Sequence, residues 1–370
     1  MRAVVSLFLF GSSVVTGAST SSGQDTWFCI ISGFLLSIPL MLVQAGILDL
    51  YPGRNYYDNV LEVYGKIGGR VVVLILSLYA LLLGGLVLRV YSEFIRIVNL
   101  SATPLPAVIA FILGVSVYLL ENRVFVLARI AKFVLPIIAV SISITVLLSI
   151  KDMDFGNIQP MLHSGFSKIS QGTLLSLTLP FGEIVACAPV FEGLERRQKI
   201  FPVFLRGALS GFLIILGANL RNLLVLGYSA QVYPFASYES VSVISYGEFF
   251  TRIEVLIGIN LLLAGFVKVC VLIFSTASGF AKIFGLEDYV PLIAPCGLLL
   301  FMVTLAVHTN TDEMFGWLKY LPFFSIPFQV ILPVLTLVVG VIRKKVKGRG
   351  KGKRAPAKKE AKDGQTVPEP

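Results

Sequence analysis

Residues 177–190 are apolar enough to cross a membrane, yet two prolines, a glycine and a carboxylate interrupt them (LTLPFGEIVACAPV). In hydrocarbon every backbone polar group needs a hydrogen-bond partner, so a broken helix survives only where it lines a cavity or is buried in protein. The start of the chain has a second interrupted run, FGSSVVTG at residues 10–17. Two interrupted helices at corresponding places in two halves indicate a binding site of the transporter kind at the membrane midplane, although two kinked structural helices remain an alternative.

The whole chain has the composition of a membrane protein. It is 56% hydrophobic and 14% charged, with a mean hydropathy of +0.84. A soluble domain could not bury that much apolar surface, so the sequence indicates an all-α polytopic membrane protein. Its apolar runs predict ten transmembrane helices, called spans 1 to 10, near residues 2–19, 27–48, 71–100, 105–120, 124–150, 172–191, 202–228, 253–284, 289–308 and 318–342.

Lys and Arg residues are concentrated in the second, fourth, sixth and eighth connections between these spans. Positively charged residues mark the cytoplasmic side of a membrane protein, so both termini are predicted to be cytoplasmic. Residues 343–370 carry eleven Lys or Arg and three Asp or Glu, which is most of the net charge of +10. This segment has little to bury and is predicted to be a disordered basic tail behind a permease-like domain at 1–342. A basic run beside a membrane favours contact with anionic lipid headgroups, and a nucleic-acid partner is not expected.

Nothing in the sequence indicates catalysis or metal binding. The two histidines, His163 and His308, stand outside any cluster of ligands, and there is no nucleophile–base pair or phosphate-binding loop. We therefore expect neither an enzyme nor a bound metal or cofactor. The cysteines form no C-x-x-C motif, and all fall within predicted spans, where they serve as small apolar side chains: Cys29, Cys187, Cys270 and Cys296.

Two charged residues lie deep inside predicted spans, where a charge is costly and needs a reason. Glu183 directly follows Gly182 in the interrupted sixth span. It could meet a ligand ammonium, carry a coupled proton or line a water path, or it could be a buried carboxylate satisfied by a neighbouring group. Lys268 is about fifteen residues from either end of span 8, too far to reach water easily. It could hold a ligand carboxylate, replace a sodium ion structurally, or pair with Glu183 or Glu93.

Four other polar side chains inside spans have structural explanations that are at least as strong. Arg89 and Glu93 are four residues apart in span 3 and are predicted to pair on one helix face. Arg221, near the outer end of span 7, is expected to snorkel or to line a vestibule. The hydroxyl of Tyr79 needs a partner at mid-membrane, which could come from the cavity or from a neighbouring carbonyl group.

Short motifs occur along the chain in a characteristic order. They are GQDTW at 23–27, Arg89-x-x-x-Glu93 followed by Thr103-Pro104, Ala128-Arg129 before Pro136, NIQP at 157–160, PFGE at 180–183, and Arg252-x-Glu254 before Phe284-Gly285. Through their order and spacing the chain resembles the spore germination permease family, the B subunits of bacterial germinant receptors, within the amino acid–polyamine–organocation (APC) transporter superfamily. The resemblance covers the chain up to about residue 342.

The resemblance implies a LeuT-like fold, in which spans 1–5 and 6–10 form a five-plus-five inverted repeat and spans 1 and 6 are the broken pair. It also implies a subunit that works with A-type and C-type germinant receptor subunits in the inner membrane of the spore. Such a subunit senses a small nutrient, typically an amino acid, rather than accumulating it. The alternative is a proton- or sodium-coupled amino acid transporter. A sodium site would need oxygen ligands such as the hydroxyls of Ser275, Thr276 and Ser278, which in membrane helices usually bond their own backbone.

By position, the ligand pocket of the family maps onto four spans. Backbone amides freed at the two breaks would hold a ligand carboxylate, and freed carbonyl groups together with Glu183 would take its ammonium. Lys268 lies where a neutral side chain is expected, which argues against a simple alanine-like ligand. The expected ligand-binding residues are Gly11, Ser12 and Ser13 in span 1, Tyr79 and Leu83 in span 3, Phe181, Gly182 and Glu183 in span 6, and Val267 and Lys268 in span 8.

Overall fold

The computed structural model describes residues 1–11, 22–98, 102–193, 199–243 and 253–352, with the backbone alone at 192–193 and 347–352. Every regular element in these ranges is helical. The short helices Ala236–Ser242 and Thr311–Trp317 lie between spans. The helices that form the spans are Arg2–Phe10 (span 1), Thr26–Leu50 (span 2), Tyr56–Val98 (span 3), Leu105–Glu121 (span 4), Val124–Leu148 (span 5), Phe166–Thr178 and Ile184–Cys187 (span 6), Ile200–Leu226 (span 7), Glu254–Phe284 (span 8), Ile293–Val307 (span 9), and Leu321–Ile326 and Leu332–Gly352 (span 10).

Eight helical segments of the described residues are long and apolar enough to cross a membrane, and they correspond to spans 2, 3 and 5 to 10. Span 4 is an apolar helix of 17 residues, and the described part of span 1 is a helix of 9 residues. The predicted all-α, polytopic architecture is therefore confirmed, and the chain is an integral membrane protein. We name the face that carries residues 51–55 the inner face and the face that carries residues 308–320 the outer face, after the predicted orientation.

Span 8 is the central helix of the bundle. Every residue from Val267 to Gly279 is buried, and the helix packs most extensively against span 3. Small residues let the two helices approach closely: a Cβ on Gly265 would overlap the ring of Tyr91, and one on Gly279 would overlap the hydroxyl of Ser77. Lipid tails are as apolar as the helices, so the hydrophobic effect does not drive helices together inside a membrane. They associate through close van der Waals packing, which small residues allow.

Span 3 begins with a separate helical segment at the inner face, residues 56–64, which we call the inner helix. A break at Gly65, where φ is 81° and ψ is −178°, separates it from the rest of the span. The inner helix is fixed to the inner end of span 8, since the hydroxyl of Tyr57 lies 2.8 Å from Oγ of Ser275. Just before it, Nδ2 of Asn55 donates to another span 8 hydroxyl at 2.9 Å. These buried contacts close the inner face of the bundle.

The last helix of span 10 continues beyond the domain boundary predicted at residue 342. Lys and Arg are good helix formers, and here two of them also satisfy carbonyl groups at the ends of inner-face helices. Residues 343–352 of the predicted tail are thus described as helical, while 353–370 lie outside the described residues. The two cations that donate to backbone carbonyl oxygens are Arg343, to Val63 at 2.8 Å, and Lys344, to Leu50 at 2.9 Å.

The motif at residues 23–27 has a structural role at the outer face. Asp25 is fully buried, and its carboxylate accepts hydrogen bonds from the backbone N–H groups of Leu162 (2.6 Å) and Ser164 (3.0 Å). The hydroxyl of Ser164 donates in turn to the carbonyl oxygen of Ser22. These bonds fix the connection between spans 5 and 6 and thereby set where the broken sixth span begins.

We expect Asp25→Ala to lower the apparent melting temperature of the purified protein in detergent by several degrees. The substitution removes the acceptor of two backbone N–H groups, and hydrogen bonds to a charged group contribute about 1.5–3 kcal/mol each. A thiol-reactive dye checks this expectation, because the buried cysteines become exposed on melting. Asp312→Ala, at an exposed carboxylate of the helix Thr311–Trp317, is the matched control. Equal melting of the two variants would contradict the role assigned to Asp25.

Candidate functional site

Spans 1, 3 and 8 meet closely at Gly11, where the sequence predicts the first break. The described helix of span 1 ends at Phe10, and Gly11 follows it. A Cβ on Gly11 would lie 3.1 Å from Cδ of Lys268 and 3.2 Å from the carbonyl oxygen of Ala264. The hydroxyl of Tyr91 in span 3 donates to the carbonyl oxygen of Gly11. An added side chain at this point would be tightly packed, so the space favours glycine. The carbonyl oxygen of Gly11 is hydrogen-bonded by a neighbouring span.

Span 6 is broken between two helical segments. The helix Phe166–Thr178 ends just before Pro180, a 3₁₀ turn covers Phe181–Glu183, and the helix resumes at Ile184. A proline has no N–H group to donate and disfavours helical conformation in the residue before it, which explains why the helix stops here. The last carbonyl groups of the first segment are left for partners outside the helix, and Glu183 lies where the second segment starts.

A buried salt bridge joins span 8 to the break in span 6, next to Gly11 of span 1. Nζ of Lys268 donates to Oε2 of Glu183, and the two side chains are 0% and 1% exposed. The ammonium also lies 4.7 Å from the ring centroid of Phe8, where a cation is attracted to the aromatic face. The carboxylate interacts electrostatically with Tyr79 and Tyr91. Of the two carboxylates predicted as partners of Lys268, the structure shows Glu183.

Glu93 belongs to a different ion pair at the outer end of span 3. Its carboxylate accepts hydrogen bonds from Arg89 at 3.0 Å and from Arg96 at 2.7 Å. The side chains of Glu93 and Arg89 are both buried. The predicted pairing of Arg89 with Glu93 is therefore confirmed, and the alternative pairing of Glu93 with Lys268 is not the one that forms.

Gln329 in span 10 joins the second break to span 3, and it was not among the expected site residues. Its Nε2 donates to the hydroxyl of Tyr79 at 2.7 Å and to the carbonyl oxygen of Thr178 at 2.9 Å. Thr178 supplies one of the carbonyl groups that the break leaves free. A Cβ on Gly182 would overlap the amide oxygen of Gln329. Gly182 is thus required by space, and the hydroxyl of Tyr79 has a side-chain amide as its partner.

The backbone around Gln329 is unusual, because Pro327–Ile331 form a π-helical turn between two α-helical segments. Single π-helical turns occur frequently at functional sites. A sequence signal for this position exists: a single amide stands between Pro327 and Pro333 in an otherwise apolar stretch. The hydrogen-bond partners of Gln329 lie in spans 3 and 6, far away along the chain. The sequence signal therefore indicates that Gln329 makes a polar contact but does not show with which residues.

The structure brings part of the expected pocket together. Gly11, Glu183 and Lys268 meet at the salt bridge. Leu83 lines a small cavity of about 50 Å³ that reaches Gly11 from the outer face. Tyr79 and Gly182 do not meet at the salt bridge itself, but both lie against Gln329 beside the break in span 6. Two expected residues lie outside the described part of the chain, Ser12 and Ser13.

Phe181 and Val267 are part of the apolar interior. Phe181 belongs to an aromatic cluster with Phe34 and Phe212, whose ring centroids lie 5.4 and 6.3 Å from its own. Val267 is fully buried in the main apolar core, directly before Lys268 in span 8. Their side chains hold spans 2, 6, 7 and 8 together around the salt bridge.

The expectation for Arg221 was wrong, because its side chain neither snorkels nor lines a vestibule. It is 1% exposed and donates hydrogen bonds to Oγ1 of Thr145 (2.8 Å), Oδ1 of Asn222 (2.8 Å) and the carbonyl oxygen of Ser237 (3.2 Å). The helix Ala236–Ser242 covers this end of span 7. Arg221 therefore joins spans 5 and 7 to that helix.

The hydroxyls suggested as sodium ligands are engaged in other contacts. Oγ of Ser275 lies 2.8 Å from the hydroxyl of Tyr57, and Oγ of Ser278 accepts a hydrogen bond from Asn55. Oγ1 of Thr276 donates to a carbonyl oxygen of its own helix at 2.9 Å. In this arrangement the three side chains close the inner face and stabilise span 8.

We expect Gly182→Ala to destabilise the protein, because the new methyl group overlaps Gln329 and lies 2.9 Å from the carbonyl oxygen of Leu177. Overpacking of this kind costs about 1–3 kcal/mol. Gly114→Ala is the matched control, since an added Cβ meets nothing within 4 Å in that helix. Apparent melting temperatures of the two variants, measured side by side, check the expectation. A melting temperature of Gly182→Ala that is no lower than that of Gly114→Ala would rule out the close approach of spans 6 and 10.

Comparison with known protein families and relatives gives consistent matches over most of the chain. A family profile described as "Spore germination protein" matches residues 1–313. Spore germination protein KB of Bacillus subtilis (strain 168) is 24% identical over 359 residues, covering 95% of this chain and 96% of that protein. Spore germination protein A2 of the same organism is 22% identical over 344 residues, covering 90% of each.

Two solved structures show the same arrangement of helices. Mhp1, a nucleobase-cation-symport-1 family transporter solved in a closed conformation with bromovinylhydantoin bound, has a TM-score of 0.66 at 14% identity, covering 90% of this chain and 76% of that chain. MhsT, solved in complex with L-phenylalanine, has a TM-score of 0.61 at 14% identity, covering 91% and 88%. At this identity the likeness concerns the fold alone. The predicted LeuT-like, all-α fold is confirmed, and the break in span 6 is present; the predicted break in span 1 lies at residues 12–17, outside the described part of the chain.

Proposed function

The chain belongs to the spore germination protein family, and on that premise we propose that it is the nutrient-sensing membrane subunit of a spore germinant receptor. Family and fold are those of permeases and transporters rather than of enzymes. The proposed ligand is a small polar nutrient, most simply an amino acid, bound at the membrane midplane between the broken spans 1 and 6.

The observation that carries this proposal is the buried salt bridge between Lys268 and Glu183, which lies at the break in span 6 and beside Gly11 of span 1. The pair offers one cation and one anion side by side, which is the complement of a zwitterion. A ligand carboxylate would replace Glu183 as the partner of Lys268, and a ligand ammonium would replace Lys268 as the partner of Glu183. Such an exchange keeps every charge compensated, whereas opening a buried pair without compensation costs several kcal/mol.

Ligand insertion of this kind is coupled to a change of conformation. Lys268 is in span 8 and Glu183 is in span 6, so a ligand between them separates the two spans by its own width. A ligand shifts a conformational equilibrium only through different affinities for the two states, and about 1–3 kcal/mol is the usual coupling. Sensing requires this coupling and does not require release of the ligand on the other side. In the same fold, MhsT is solved with L-phenylalanine, which supports an amino acid as ligand.

A proton- or sodium-coupled amino acid transporter is the second candidate. It is favoured by the solved neighbours of the fold, which include a Na⁺-coupled sialic acid symporter with a TM-score of 0.59, and by a carboxylate, Glu183, at the ligand site. The engagement of the three span 8 hydroxyls in inner-face contacts weighs against sodium. Proton coupling through Glu183 remains compatible with the same site.

The surroundings of the subunit are part of the proposal. We place it in the inner membrane of the spore with both termini cytoplasmic, together with A-type and C-type receptor subunits. The permease-like domain at 1–342 carries the ligand site. The basic residues that follow contact anionic lipid headgroups at the inner face, because a cluster of Lys and Arg beside a membrane is attracted to them.

A pair of single variants and their combination separate ligand recognition from folding. Glu183→Gln and Lys268→Met each leave one buried charge without its partner, which destabilises the folded protein by about 3–5 kcal/mol. We therefore expect both single variants to lower the amount of protein in the spore membrane. The double variant buries no charge at this place. We expect it to restore the protein level while the nutrient concentration for half-maximal germination rises by roughly tenfold or more, equivalent to 1.4 kcal/mol of lost binding.

Dose–response curves for amino acids, sugars and nucleosides, combined with immunoblots of spore membranes, measure both effects. The matched control is the double neutral variant of an exposed pair, Arg54→Gln with Glu62→Gln, whose ions are 3.3 Å apart and 53% and 32% exposed. It should change neither protein level nor response. A Glu183→Gln, Lys268→Met protein that is present and responds at the normal concentration would exclude the salt bridge as the ligand site.

A further inference from the structure

Two cavities lie one behind the other at the outer face. The inner cavity, of about 50 Å³, reaches Gly11 and Tyr91 at the first break. The second, of about 500 Å³, is lined by residues that include Glu313, Lys319 and Tyr320, and we call it the outer vestibule. A shared wall separates the two cavities. The residues that line both are Leu86, His308 and Trp317.

His308 is the polar member of this wall. It follows the helix of span 9, and its side chain is only 4% exposed. Within the part of the chain that the structure describes, neither of its ring nitrogens has a hydrogen-bond partner. Burial lowers the pKa of His308, so its imidazole is neutral at neutral pH and offers one donor and one acceptor. Buried polar groups are normally hydrogen-bonded, so a ring without a protein partner is available to a solute in the cavity it lines.

Trp317 is the bulkiest member of the wall and stands at the end of the short helix Thr311–Trp317. The start of this helix is fixed by local hydrogen bonds. Oδ1 of Asn310 accepts from the N–H group of Glu313 at 2.8 Å, and the carboxylate of Glu313 accepts from the N–H group and the hydroxyl of Thr309 at 2.8 and 2.7 Å. These bonds lie within residues 309–313 and would stay intact if the helix shifted as a unit. The bond that ties their start to span 3, from Nη2 of Arg89 to the carbonyl oxygen of Thr309, is long at 3.5 Å.

The outer vestibule carries both charges that a zwitterion needs. The hydrogen bonds from Thr309 lower the pKa of Glu313 and keep its carboxylate ionised. Lys319 lines the same cavity, with its ammonium 4.9 Å from the ring centroid of Tyr320. The cavity therefore offers one carboxylate and one ammonium to a solute, and each of these groups forms its stronger hydrogen bonds with a charged partner.

We propose that the outer vestibule is a first binding site for a small zwitterion, and that Trp317 and His308 form the gate between this vestibule and the salt bridge. The inference rests on the proposed function and specifies the route and the chemical class of its ligand. The ligand first meets Glu313 and Lys319, then contacts the imidazole of His308 as Trp317 moves aside. It reaches the salt bridge through the inner cavity beside Gly11.

Thiol accessibility tests the gate without any knowledge of the ligand. The native cysteines are all buried, so a single new cysteine reports its own position. Val307→Cys places a thiol in the outer vestibule, and Val87→Cys places one in the inner cavity. The full chain in right-side-out membrane vesicles is treated with a small, membrane-impermeant methanethiosulfonate reagent, and the reaction is followed by loss of later maleimide labelling.

We expect the thiol of Val307→Cys to react at the same rate whether or not Trp317 is replaced by alanine. The thiol of Val87→Cys should react slowly in the presence of Trp317 and roughly tenfold faster with Trp317→Ala. The reason is that a thiol behind a gate is modified at a rate proportional to the fraction of molecules in which the gate is open. Equal rates for Val87→Cys in both backgrounds, or a vestibule thiol that does not react from this side, would overturn the gate.

Variants of His308 then test its contact with the ligand. His308→Gln keeps a donor and an acceptor, whereas His308→Leu removes both at similar size. We expect His308→Leu to raise the amino acid concentration for half-maximal germination by roughly tenfold and His308→Gln to change it by less than about threefold. Identical responses of the two variants would exclude the contact. If the salt-bridge variants leave the response normal while the thiol rates behave as expected, the proposed ligand site fails and the gate stands.

Discussion

The salt bridge between Lys268 and Glu183 determines how the polar interior of this membrane protein is arranged. Neither charge can face hydrocarbon, and neither can be left alone, because removing one partner of a buried pair costs about 3–5 kcal/mol. The pair therefore holds span 8 against the second break. Two carbonyl groups at the breaks are satisfied close by, one by a tyrosine and one by a glutamine, Tyr91 and Gln329. Polar groups that a membrane protein would otherwise disperse are gathered around one point.

The route to the salt bridge is closed by different kinds of contact on its two sides. At the inner face, buried hydrogen bonds join the inner helix to span 8, as between Tyr57 and Ser275. At the outer face, the wall is made of side chains, and Trp317 is 38% exposed on a helix capped by its own local bonds. Segments with few buried contacts open at lower free energy than well-packed ones. The wall at the outer face is therefore the contact that the proposed gate would have to open.

Much of the fold could be predicted because hydrocarbon leaves few ways to hydrogen-bond the backbone N–H and C=O groups. Spans and breaks are therefore visible in the sequence. The sequence narrowed the partner of Lys268 to two carboxylates, Glu183 and Glu93, and could not decide between them. The structure decides because Glu93 already forms ion pairs with two arginines of its own helix. Arg221 was misplaced because a position near the end of a span does not reveal that another helix covers it. Gln329 was missed because its importance comes entirely from partners in two distant spans.

Gly65 and Gly265 are both needed by the fold, but for opposite reasons. At Gly265 there is no room, since a Cβ would overlap the ring of Tyr91. At Gly65 there is room, since an added Cβ meets nothing within 4 Å, but φ is 81°, which side chains rarely adopt. The direction of the inner helix therefore depends on a backbone torsion at Gly65 that few residues can adopt, in addition to its buried contacts with span 8. The same residue type thus serves the bundle in two separate ways, as a point of close contact and as a bend in the chain.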